Sequence, residues 1–142
     1  MDVFYNKTVT VYNKYESTDD VMGGETWLPT VFTDVRLQVT KGANVATSGL
    51  SDADSATLHI KRENLPKPYI QPLAWQALNS SDKAKNFTMT GGTDFFVEGD
   101  TSAVTVTEDD FFSYMKAHYD NCYKITNVDI YDLIPHFEIG GA

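Results

Sequence analysis

Tyr123-Lys124-Ile125-Thr126-Asn127-Val128-Asp129-Ile130-Tyr131 decides the fold, because its apolar side chains alternate and then change phase. Tyr123 and Ile125 share odd parity, whereas Val128 and Ile130 share even parity. Successive side chains on a strand point to opposite faces, so one extra residue near Thr126-Asn127, a β-bulge, keeps both pairs on the core side. Upstream lies a helix signal. The Thr107 hydroxyl can cap a first turn, Glu108, Asp109 and Asp110 put negative charge at the positive end of the helix dipole, and Lys116 and His118 fall near the other end. Phe111, Met115 and Tyr119 then form one apolar stripe. Downstream, Phe137 and Ile139 resume an alternating pattern after Pro135, in a closing strand that runs into Gly140-Gly141.

The same alternation appears towards the N-terminus. Thr8 to Tyr12 puts Val9 and Val11 on one face of a first strand. Ser17 to Glu25 is polar and carries Gly23-Gly24, as a turn does. Thr26 to Thr40 is a long strand with Val31, Val35, Leu37 and Val39 on one parity; Pro29 belongs at its edge because it cannot donate to a ladder. Lys41 to Ser55 is small, polar and Gly-containing, which predicts a long loop that either contacts a partner or is disordered on its own. Ala56 to Arg62 is a strand with Leu58 and Ile60 inward and His59 exposed. Leu65 to Pro72 holds three prolines and runs extended outside any central sheet, and Leu73 to Leu78 makes at most a short helical turn. Asn86 to Gly99 has the pattern of a hairpin turning through Gly91-Gly92, with Phe87 opposite Phe96.

Composition narrows the function classes. The 142 residues fit one domain spanning 1–142, long enough to bury a core without disulfide or metal staples. Eight Tyr and eight Phe favour sheet over helix bundle. Twenty acids against eleven bases give a formal net charge of −9, the reverse of the basic footprint of a nucleic-acid binder. The start Met-Asp-Val-Phe-Tyr-Asn-Lys has no secretory pattern, and no apolar run is long enough to span a membrane, so a cytoplasmic site of synthesis is expected. The single Cys122 excludes an internal disulfide and is expected to be a buried structural thiol. His59, His118 and His136 lie in three different elements without metal-ligand spacing, and Asp52 and Asp54 lack a calcium-loop pattern. Neither a Gly-x-Ser-x-Gly elbow nor a phosphate-binding Gly-rich loop is present. The expectation is therefore no enzyme, no cofactor and no metal. Trp27 stays open between core packing and interface anchor, and Trp75 stays equally open.

The order of elements carries a resemblance. Thr8-Val9-Thr10-Val11-Tyr12-Asn13-Lys14-Tyr15, Gly24-Glu25-Thr26-Trp27, Lys41-Gly42, Gly49-Leu50, Ala53-Asp54-Ser55-Ala56, Asp94 to Gly99, Tyr123 to Asp129 and Glu138-Ile139-Gly140-Gly141 together resemble a family of small proteins of bacteriophages and prophages of Gram-positive bacteria. These are described as minor capsid or head-tail joining proteins. The plan is also similar to head-tail connectors, stoppers and adaptors, from whose shortest members the insertion over 65–85 and the late helix depart. The resemblance implies a mainly β, α+β fold, a small antiparallel barrel or sandwich with a helix between Thr107 and Tyr119. It implies a virion component that joins rings at the neck, made in the bacterial cytoplasm, with other phage structural proteins (portal or adaptor and tail components) and copies of itself as partners. Candidate assembly contacts are Trp27 and, in the 41–55 loop, Gly42, Asn44, Val45, Leu50 and Asp52. A tail terminator or other minor virion protein, or a β-sandwich module binding carbohydrate or a host surface through Trp27, Trp75 and surface tyrosines, are the alternatives.

Overall fold

Each alternating run becomes a strand, and six of the strands close on one another. The computed structural model describes residues 4–15, 26–41, 43–46, 49–52, 54–104 and 110–142. Its strands are β1 (Lys7–Tyr15), β2 (Thr26–Thr40), β3 (Ala43–Ala46), β4 (Gly49–Asp52), β5 (Ser55–Lys61), β6 (Phe95–Glu98), β7 (Cys122–Tyr131) and β8 (His136–Gly141); its helices are α1 (Pro72–Gln76), α2 (Ser80–Lys85) and α3 (Phe111–His118). In the order β1-β2-β5-β8-β7-β6 the strands make a closed barrel, antiparallel at every seam, while β3 pairs with β4 as a separate two-stranded sheet.

Inside the barrel Val9, Val11, Phe32, Leu58, Ile60, Phe96, Tyr123, Ile125, Phe137 and Ile139 pack as one cluster. Strands β5 and β8 alternate buried and half-open positions, as one-faced strands should. Strands β1 and β6 do not: Tyr12, Phe95 and Val97 are buried on the outer face as well. The cause is α3, whose Phe111 and Met115 cover Tyr12, Phe95, Val97 and Cys122 from outside. Two-sided burial explains why β6 reads as an unbroken apolar run rather than an alternation. Burying one such side chain stabilises by roughly 1.5–3 kcal/mol.

The phase shift that organises the C-terminal third is present. The β7–β8 register slips between Ile125 and Asn127, which is the expected bulge. Val128 beyond it packs against the core, whereas Ile130, expected inward, is exposed on the part of β7 that pairs with β8 alone, its pairing with β6 having ended at Lys124. A second bulge was not foreseen. Lys7 pairs with Val35 but Val9 with Phe32, and Asp34 between them has φ 55°. This inserts one residue into β2 and turns both Phe32 and Val35 inward, displacing the single parity that put Val31 on the buried face. Aspartate is among the few non-glycine residues that adopt this left-handed conformation at modest cost. Pro29 lies in the half of β2 that pairs with β1 alone.

Three further expectations change. The helix is capped by Asp110, whose side chain accepts from Ser113 N; Thr107 lies outside the described residues. Residues 86–99 do not form a hairpin: Gly92 (φ 82°) turns the chain, but Phe96 pairs with Val11 and Tyr123, and Phe87 bridges Tyr69 instead. Both edges of β6 are already taken. The 41–55 stretch, expected as loop, holds β3 and β4, whose pairing comes from backbone hydrogen bonds that its irregular side-chain pattern does not advertise. In the Pro-rich insertion, α1 starts at Pro72 as a short helix should, and α2 is capped by Asn79 accepting from Asp82 N.

Gly141 sits where β8 crosses β7 beside the bulge. A Cβ there would lie 2.8 Å from the Phe96 ring and 2.8 Å from Tyr123 Cβ, neither of which can swing aside. Gly141→Ala is expected to lower stability by about 1–3 kcal/mol through overpacking, measured by denaturant unfolding; an unchanged midpoint would show that the closing strand is not held so tightly.

Candidate functional site

The β5–β8 ladder has two ends, one continuing into the β3–β4 hairpin and the other into the β7–β8 turn. At one end Thr40 pairs with Ser55 and Ala56 with Gly141, and here the chain leaves the barrel to form the β3–β4 hairpin. Within it Asn44 pairs with Ser51, Val45 with Leu50, and Ala43 with Asp52, so four of the expected contact residues share one element; Gly42 lies outside the described residues. The hairpin base is tied down. Lys41 lies 3.3 Å from Asp54, donates to Asp120 O at 3.1 Å and sits over the Tyr123 ring. The Tyr123 hydroxyl first, and Asp54 after it, hold the ammonium above its ordinary pKa.

At the other end Lys61 pairs with His136 and Tyr131 with His136, and the turn between β7 and β8 presents Leu133 (97% exposed) and Ile134 (74% exposed). Ile130 and Tyr131 extend this apolar tip along β7. Arg62 fixes the turn, donating to Asp132 at 2.6 Å while its backbone N–H bonds Pro135 O. The tip was missed in the sequence. Its signal was an apolar pair, Leu133-Ile134, sitting in the gap between two alternating runs, where turn residues are ordinarily polar.

The tryptophans resolve towards packing. Trp27 is half-buried and meets Phe95 edge-on at 5.0 Å and Phe111 at 6.1 Å, within the cluster under α3. Trp75 is fully buried, its indole N–H donating to Lys83 O, while the Lys83 ammonium reaches Gln76 O and Leu78 O. Trp75 presents no open aromatic platform.

Buried polar chemistry is concentrated where β1 meets the 88–94 turn. Asn13 Nδ2 donates to Thr88 O (2.5 Å) and Asp94 Oδ2 (2.9 Å), and Asp94 also accepts from Lys14 N and Thr90 N. Burial raises the Asp94 pKa against these hydrogen bonds, which pull it down. With its oxygens occupied by backbone and amide donors, Asp94 holds two chain segments together and has no free face for acid-base work. Cys122 is buried as expected, and burial pushes its thiol up to about 12. His118 is exposed on α3. His59 is not the exposed strand residue that alternation implied: it is half-buried, and the pairing of β5 with β8 puts it on one face with His136.

Among the described residues, no helix is long and apolar enough to cross a membrane. A family profile described as Family of unknown function (DUF6751) matches residues 4–142. No curated protein and no solved structure matches the chain.

A carboxyl whose folded pKa lies above its ordinary 3.8 favours the folded state when protonated. Its contribution is therefore full below the unfolded pKa and is lost as pH rises through the folded value. Thermal unfolding of the protein and of Asp94→Asn across that range should show the native protein's advantage shrinking with rising pH; a constant difference would place Asp94 at its ordinary pKa. Cys122 should resist an aromatic disulfide reagent in the folded protein and react on unfolding, and stoichiometric reaction of the native thiol would contradict its burial.

Proposed function

Taking as premise that the chain belongs to DUF6751, a family of unknown function, we propose that it is a structural virion protein of the phage head-tail junction. In this role it acts as a connector, stopper or adaptor and assembles as a ring between portal and tail. The observation that carries the proposal is the placement of the β3–β4 hairpin and the exposed Leu133-Ile134 turn at opposite ends of one β ladder. A layer in a stack needs a contact surface on each side, and a barrel closed by hydrogen bonds keeps the two at a fixed spacing. The resemblance in the order of elements supports the same role.

Charge and size agree with it. A 15.9 kDa domain does not surround a DNA duplex alone, so the role requires several copies joined by heterologous interfaces that close into a ring. A net charge of −9 lets DNA pass through such a ring without sequence-specific binding. Partners are then neighbouring copies, the portal or adaptor on one side and tail components on the other; the protein is made in the host cytoplasm and ends in the virion. The competing carbohydrate-binding module would draw on Trp27, Trp75 and surface tyrosines, and of these Trp75 is buried.

Negative-stain imaging of the protein mixed with its cognate portal should show an added ring layer, and no layer would overturn the proposal. Leu133→Asp combined with Ile134→Asp, both fully outside the core, is expected to weaken attachment at one side at least about tenfold, or about 1.4 kcal/mol, with unfolding unchanged.

A further inference from the structure

We propose that His59, His136 and Glu138 form a binding site for a divalent transition-metal ion of the zinc class on the outer face of the β5–β8 ladder. The inference stands on local geometry and holds whether or not the chain is a neck protein. Leu58 and Ile60 point into the barrel, as do Phe137 and Ile139, so His59, His136 and Glu138 face outward together. His59 is directly opposite Glu138, and His136 follows two residues away on the same face. One donor atom from each residue lies within 4.8 Å of the other two.

Hydrogen bonding orients the His136 ring towards that cluster. His136 Nδ1 is 2.6 Å from Ile134 O, and a carbonyl can only accept, so in the neutral ring Nδ1 carries the proton and Nε2 the lone pair. This is the arrangement by which an outer hydrogen bond orients a metal-binding imidazole. Tyr131 stacks on the same ring at 4.6 Å and 7°, fixing its plane. His59 Nε2 is buried and has no hydrogen-bond partner among the described residues, although buried polar atoms are nearly always satisfied. A metal ion supplies the missing partner.

Two imidazole nitrogens and one carboxylate oxygen suit zinc and leave the fourth tetrahedral position for water. His136 Nε2 and Glu138 Oε2 are 3.9 Å apart, whereas bonds of about 2.1 Å call for donors roughly 3.4 Å apart. Rotation of the partly exposed Glu138 side chain closes the difference. The neighbouring charges are mixed: Arg36, opposite His59 on β2, disfavours positive charge on that ring, Lys61 lies over the Tyr5 ring, and Asp129, opposite Glu138 on β7, adds a second carboxylate to the row.

The test is calorimetric titration of chelator-stripped protein with zinc chloride, followed by cobalt(II) absorption. One ion per chain and a visible band of tetrahedral intensity are expected. Glu138→Gln, whose side chain is partly exposed, and His136→Gln should each weaken zinc binding at least about tenfold, with circular dichroism unchanged. His118→Gln on α3 should leave it unaltered. Lack of saturable binding, or binding that survives Glu138→Gln and His136→Gln, overturns the proposal and leaves a simple histidine–carboxylate ion pair in its place. Should His59→Gln fail to fold, the other two variants still decide.

Discussion

Closure of the barrel rests on β6, four residues long, which must hydrogen-bond β1 along one edge and β7 along the other. If β6 leaves, both neighbours become open edges, a condition that sheet proteins avoid. Two devices hold so short a strand. Its side chains are buried on both faces, Phe96 inside the barrel and Phe95 and Val97 beneath α3. The turn that delivers it is clamped by Asp94 to Asn13 and to the backbone of Lys14 and Thr90. Each lost partner in that buried clamp costs about 1–3 kcal/mol, comparable with a whole buried side chain.

This concentration of order on one side leaves the other side free to vary. Strands β5 and β8 have a core face and an open face, and among the described residues no helix is laid across the latter. Their ends launch the β3–β4 hairpin and the β7–β8 turn, and their open face carries the paired histidines. The division matches a general expectation that rigid scaffolds hold stability while connecting segments hold contacts. Acidic composition then keeps the shared surface from adhering to polyanions.

What the sequence disclosed depended on how local the cause was. The bulge near Thr126 was legible because one inserted residue reverses parity for everything after it. The apolar stripe of α3 was legible for the same reason. The bulge at Asp34 was not, since Val31 shares the parity of Val35, Leu37 and Val39 and hides the phase change that buries Phe32 with Val35. Strand partners were the main loss: Gly91-Gly92 suggested a local hairpin, yet β6 pairs with strands distant in the chain. Candidate contacts fared likewise. Asn44, Val45, Leu50 and Asp52 were singled out through loop length, and the structure gathers them on one hairpin, while Trp27 is half-buried against the cluster under α3. His59 and His136 looked unrelated because only the β5–β8 register brings them together.

The claim that a rigid closed barrel presents its contacts from the two ends of one ladder is tested most directly by hydrogen exchange of the chain, free and bound to its cognate portal. Backbone amides of β6 should exchange slowly in both states, because α3 and the barrel interior already shield them. Protection gained on binding should fall on the β3–β4 hairpin or on Asp132 to Ile134. Protection gained instead over the outer surface of α3, or nowhere in the chain, would contradict the account.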